Sequence, residues 1–207
     1  MEKIKYELIP SVGIGPVRFG MTHQEVYEAM GTKPSTTLPR GKAVGEEERS
    51  SFHLHNCFAV HYSTENSTVE FIEVSSDCDI DVFYKDIDFF NTEVEELLVL
   101  LTKETPYDED DPELGYSFIF PELELSLYRP HGPEDIEPLT EESSEEDIKY
   151  YEGELKRLKY IESVGLGITG YYGADWERLK EKSNQSNNYD HTLIQRIMRV
   201  VRHNSLD

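Results

Sequence analysis

Apolar and polar positions switch between helical and strand periods along this chain, and the switches mark out elements. In "THQEVYEAMG" the apolar residues recur at helical spacing. Thr22 followed by Glu25 forms a capping-box pattern at its start, and Gly31 is a stop signal. A second helix is predicted in "NTEVEELLVLLTK" (91–103), where Val94, Leu97, Leu98 and Leu101 fall on one face. After each helix comes a stretch that begins Ser-Phe and ends in Tyr, "SFHLHNCFAVHY" (51–62) and "SFIFPELELSLY" (117–128). Each has a polar or proline break in its middle, and each reads as two short strands about a tight turn. A third strand follows each, in "STVEFIEVSS" (67–76) and in "IESVGLGITGYYG" (161–173). Ahead of each helix lies a further extended stretch, "YELIPSVGIGPVRFG" and "DIDVFYKDIDFF".

The pattern predicts an α+β chain of two tandem strand–helix–three-strand antiparallel units plus a C-terminal helix. The first unit spans 1–76. The second spans 77–175 with an acidic insertion at about 131–157, and 176–207 forms a helical extension. The insertion is read as a loop that ends in a helix, capped by Ser143 or Ser144, with Glu145, Glu146 and Asp147 at its positive end. In the C-terminal helix, Leu193, Ile194, Ile197, Met198 and Val201 share a face, and Arg196, Arg199 and Arg202 line another.

Composition adds that the chain is globular, since 37% of its 207 residues are hydrophobic. No run approaches a membrane span, and the N-terminal stretch lacks an apolar signal core. Cys57 and Cys78 form no recognisable framework, and as two reduced, half-buried thiols they fit the cytoplasm, the expected location. Charge changes the picture more. Forty-two acidic residues against 20 basic ones give a net of -22, which repels nucleic acid and anionic membranes and attracts a basic partner.

Candidate chemistry is sparse. The glycines of "SVGIGPVRFGMTHQEV" (11–26) are not spaced for a dinucleotide or P-loop cradle, and no lysine stands beside Thr22. Gly13, Gly15 and Gly20 are therefore read as architectural, a reading helped by the return of "SVGLG" at 163–167 without a helix start behind it. His53, His55 and Cys57 alternate as metal ligands on a strand would, with His61 as a fourth candidate. The hairpin break near Asn56 instead favours histidines of a semi-buried strand. "DEDDPELG", counted from Asp108, lacks the glycine and glutamate of an EF-hand. No nucleophile–base motif is present, so neither catalytic residues, nor a metal, nor a cofactor is expected.

Phe19-Gly20-Met21-Thr22, Glu25-Val26 and Gly31 through Pro34 resemble the opening of the small BamE-like domain, in which a GMT-type cap starts a helix that packs on a three-stranded sheet. With the late Gly170-Tyr171-Tyr172, the whole chain is similar to acidic bacterial proteins of toxin-immunity neighbourhoods. That resemblance implies a non-enzymatic inhibitor that plugs the active site of a toxin, here a basic, nuclease-type one. The expected docking residues are Asp108, Glu109, Asp110 and Asp111, with Glu141, Glu142, Glu145, Glu146 and Asp147. Two alternatives are an enzyme whose site joins His53/His55 to "DCDID" (77–81), and a scaffold that binds a peptide along a sheet edge.

Overall fold

The computed structural model describes residues 3–39, 48–130 and 144–172. The expected C-terminal helix, Glu141, Glu142 and Ser143 lie outside them. The first extended stretch is three strands, β1 (Ile4–Ile9), β2 (Gly13–Ile14) and β3 (Val17–Arg18), and not one. Then come α1 (His23–Met30), β4 (Thr36–Pro39), β5 (Glu48–His53), β6 (Phe58–Tyr62) and β7 (Val69–Ser75). The second half runs β8 (Ile80–Tyr84), β9 (Ile87–Asp88), α2 (Val94–Thr102), β10 (Ser117–Phe120), β11 (Leu125–Tyr128), α3 (Glu145–Leu158) and β12 (Ser163–Gly167). The chain is α+β. Strand, helix and three antiparallel strands occur in that order twice, with β2, β3 and β4 added to the first half and β9 and α3 to the second.

Both Ser-Phe stretches are antiparallel hairpins, β5–β6 and β10–β11, the latter turned by a short 3-10 segment at Pro121–Leu123. The halves share both sheets. β1 pairs in parallel with β8, Ile4 opposite Ile80, in the five-stranded order β3-β2-β1-β8-β9. β7 pairs antiparallel with β12, Glu73 opposite Gly165, at the centre of the seven-stranded order β10-β11-β12-β7-β6-β5-β4. One apolar cluster runs through both, from Leu8, Ile14 and Val26 to Ile72, Leu97, Phe120 and Leu166.

The glycine-rich opening is spent on this architecture. Gly15 donates its N–H to Glu7 O (2.9 Å), Phe19 to Val12 O (2.9 Å), Gly20 to Val69 O (3.0 Å) and Met21 to Arg18 O (3.3 Å). Amides used in this way cannot cradle a phosphate. Gly15 has φ +55, and a Cβ there would lie 2.5 Å from the Tyr6 ring. In "SVGLG" the equivalent Gly167 would meet the Tyr171 ring at 2.7 Å, so both stretches end on a glycine that seats a tyrosine. Met21 O accepts from Val69 N (2.9 Å), which hooks the helix start onto β7.

The capping box of α1 forms in full. Thr22 Oγ1 accepts from Glu25 N (3.4 Å), and Glu25 Oε2 accepts from Thr22 N (2.8 Å). Gly31 closes the helix with a left-handed φ of 69. Only Val26 of this helix is buried, so its stability leans on the cap. Thr22→Ala is expected to cost about 1 kcal/mol, read as a lower denaturation midpoint at unchanged slope. α2 starts at Val94, later than the sequence pattern suggested, and buries the four residues of its apolar stripe.

Two sequence readings are corrected. Of the strand expected over 161–173, the described residues form only β12, Ser163–Gly167. Gly170-Tyr171-Tyr172 forms a turn held by the Glu124 carboxylate, which accepts from Gly170 N and from Tyr172 N (3.1 Å). Tyr171 lies stacked on Phe71, centroids 4.8 Å apart. Nor are the cysteines separate thiols. The β5–β6 turn swings Cys57 beside the β7–β8 turn, where Ser75 N donates to Cys57 O (2.8 Å), and a disulfide joins Cys57 to Cys78 with Cα atoms 5.4 Å apart. A sequence separation of 21 residues carries no pairing rule by itself, so this contact emerges only from the strand order.

Candidate functional site

The acidic loop 107–113 is built as a rigid part. It leaves α2 with Thr105 and Tyr107 buried, and the Tyr107 ring packs edge-on against Phe118 and Phe120 at 6.0 and 5.8 Å. Burial, and then the neighbouring Glu109 charge, push the Tyr107 hydroxyl above its ordinary pKa. Asp108 N donates to Ile119 O (2.8 Å), so the loop covers the free edge of β10. Asp108 Oδ1 accepts from Asp110 N and Asp111 Oδ1 accepts from Glu113 N, each at 2.9 Å, giving two successive side-chain-closed turns. Glu109 and Asp110 between them are exposed.

The far end of the loop is tied by Arg129, which the sequence reading passed over. This arginine is 2% exposed. Its Nε donates to Gly115 O (2.5 Å) and a terminal N–H to Leu158 O (3.4 Å). The same terminal nitrogen is 3.8 Å from Glu95, and the guanidinium lies over the Phe118 ring at 5.6 Å. One buried cation thus joins the loop, α2, β10 and the end of α3. Its only sequence trace is an arginine directly after the strand "LSLY", a place where most arginines reach solvent.

The expected docking residues are not all brought together. Asp108, Glu109, Asp110 and Asp111 share the loop. Glu145, Glu146 and Asp147 occupy the first turn of α3, with Glu146 exposed and Ser144 immediately before the helix. Arg129 contacts the other end of that helix, and 13 residue steps place the acidic turn about 20 Å away along the axis.

The histidine stretch makes no metal set. Leu54, His55 and Asn56 all have positive φ, so the alternation breaks at His53. His53 points inward, fully buried, with Nε2 3.1 Å from Ser51 Oγ, which in turn is 2.8 Å from Tyr62 Oη. His55 is exposed on the turn, and Cys57 is bridged. His61 faces the opposite side of the sheet, its Nδ1 2.9 Å from Ser50 Oγ. Burial pushes the His61 pKa down, against the pull of Glu73. The disulfide does bring the 54–57 turn to "DCDID", as the two-segment enzyme alternative needs, with His53 buried on Ser51 Oγ and His55 exposed on the turn.

A cleft of about 370 Å³ opens between the C-terminal half of α3, the β7–β8 turn and residues 160–162. No sequence pattern marks it, because its walls come from segments that are far apart in the chain. Among the described residues no helix is long and apolar enough to cross a membrane. No protein-family model, curated protein or solved structure matches this chain.

Proposed function

We propose that this chain is a non-enzymatic, acidic binding protein that docks a basic protein partner through its 107–113 loop, in the manner of an immunity protein that occludes the active site of a nuclease-type toxin. The observation that carries the reading is the construction of the loop. Its turns use the carboxylates of Asp108 and Asp111, and Glu109 and Asp110 stand exposed between them on a segment anchored at both ends. Four adjacent acids held rigidly on a chain of net charge -22 make a preorganised target for a basic surface. A nuclease must be basic where it holds nucleic acid, so an acidic inhibitor meets it at its active cleft.

The test is association kinetics with a toxin domain encoded beside this chain, together with growth protection on co-expression. Glu109→Gln with Asp110→Asn is expected to leave stability within about 0.5 kcal/mol. It should slow association several-fold at low salt and have little effect near ~1 M salt, where the screening length falls to about 3 Å. Association that is insensitive to both salt and these substitutions would assign the acidity to solubility alone.

A cytoplasmic location belongs to the same proposal, and it carries a condition. Glutathione and thioredoxin keep cytosolic thiols reduced, so in that compartment Cys57 and Cys78 would be recovered from rapidly alkylated cells as two modified thiols. Recovery as an unmodified pair would place the chain in an oxidising compartment.

A further inference from the structure

The cleft beside α3 has an apolar floor and a charged rim of unequal sign. Phe90 and Ile161 are 7% and 2% exposed and form the floor, with the Tyr160 ring beside them. On the rim stand Asp77, Glu162 and Arg157. Arg157, the one cation among the described residues that line the cleft, is already engaged: it donates to Glu154 Oε1 (3.3 Å) and to Glu162 Oε2 (3.4 Å). Two carboxylates thus hold the guanidinium, and Asp77 is exposed on the wall across from α3.

An apolar floor with aromatic rings suits a methylene stem and a cation above it. A net negative rim suits a positive head group, and an anionic ligand would have to displace the carboxylates from Arg157. The cleft lies within the size range of sites that hold a small ligand or one large side chain. We infer that this cleft is the socket for a lysine or arginine side chain presented by the basic partner. The inference rests on the proposed function and adds an anchor to it, since rate-enhancing surface charge needs a desolvated contact to hold the complex once formed. The wall that carries Asp77 is tied to the other side of the cleft, because Ser76 N donates to Glu162 O (2.7 Å).

The experiment is an amide NMR titration of the full chain with Nα-acetyl-argininamide and Nα-acetyl-lysinamide. Nα-acetyl-citrullinamide, which keeps the shape of arginine without its charge, is the control. The expected result is saturable shifts confined to the amides of Asp77, Gly153 and Ile161 with the cationic probes and not with citrulline. Asp77→Asn should weaken binding about threefold, the scale of one exposed charge. Gly153→Phe should abolish it. Gly153 lines the cleft from α3, and a Cβ placed there meets nothing within 4 Å, so the helix has room for a side chain at this position. Equal binding of citrulline, shifts scattered over the surface, or shifts that persist in Gly153→Phe would overturn the socket. The two readings fail separately. Without cationic binding in the cleft, a partner whose association still slows in the Glu109/Asp110 variant leaves the acidic docking reading intact. Salt-independent association together with a charge-selective cleft would remove the docking reading and leave the cleft as a cation site.

Discussion

Arg129→Ala is expected to destabilise this protein by about 3 kcal/mol, the lower end of the cost of breaking a buried ionic contact. The lower end applies because Glu95, at 3.8 Å, keeps 22% of its side chain exposed and rehydrates when the cation is removed. Most of the loss comes from the carbonyls. Gly115 O and Leu158 O both turn toward the guanidinium, and truncation leaves them facing a cavity over the Phe118 ring. Arg129→Met keeps most of the stem volume and removes only the N–H groups, so it should recover part of the loss and cost about 2 kcal/mol. Denaturant titration measures both. Hydrogen exchange supplies the local readout: amides of Asp110, Glu113 and Leu114, which donate within the acidic loop, should exchange faster in either variant. A cost below about 1 kcal/mol for Arg129→Ala would mean that the knot is hydrated and that the loop is held by Tyr107 and the Asp108–Ile119 bond.

What could be read from the sequence was what local chemistry decides. The Thr22–Glu25 cap, the Gly31 stop and the Val94/Leu97/Leu98/Leu101 stripe each depend on residues within one or two turns, and all three form. The two hairpins were legible for the same reason, since strand pattern and turn signal adjoin in the chain. Sheet order was not legible. Nothing in Ile4–Glu7 announces a parallel partner at Ile80–Phe83: these residues are exposed or half-buried, and their pattern names no neighbouring strand. The pairing of β7 with β12 depends on Gly165, which leaves the space that the edge of Phe71 fills; a Cβ there would lie 2.5 Å from Phe71 Cζ.

The candidate site divides along the same line. The acidity of 107–113 is a property of adjacent residues and was visible. Its rigidity depends on Ile119 and Arg129 and was not. The cleft could not be foreseen at all, because Asp77 and Glu162 are brought together by the β7–β12 pairing and the Ser76–Glu162 backbone bond that extends it. The metal alternative at 53–57 failed at a point the sequence did mark, the break near Asn56, and three consecutive positive φ angles are the physical form of that break.

Reduction of the Cys57–Cys78 bridge, or Cys57→Ser with Cys78→Ser, is expected to lower stability by about 3 kcal/mol. The loop it closes spans 21 residues, and in the chain-entropy account the denatured state recovers roughly that much freedom when such a loop opens. The pair adds a packing term, because Cys78 is 2% exposed and belongs to the buried apolar core. Serine at 78 would bury a hydroxyl there, whereas alanine would not. Cys57→Ala with Cys78→Ala therefore isolates the cross-link, and it should match the reduced wild type to within a few tenths of a kcal/mol. The fold should survive, since Ser75 N–Cys57 O and Ser76 N–Glu162 O hold the same turns without sulfur. The sharper consequence lies at the cleft. A loosened β7–β8 turn frees Asp77 while leaving the 107–113 loop, anchored by Tyr107 and Arg129, untouched. Reduced protein should thus keep its salt-dependent association rate toward a basic partner and dissociate faster. Measuring both rates with and without reductant checks this directly. Equal dissociation in the two states would show that the bridge stabilises the fold without shaping the cleft, and a slowed association would show that the acidic loop depends on the bridge after all.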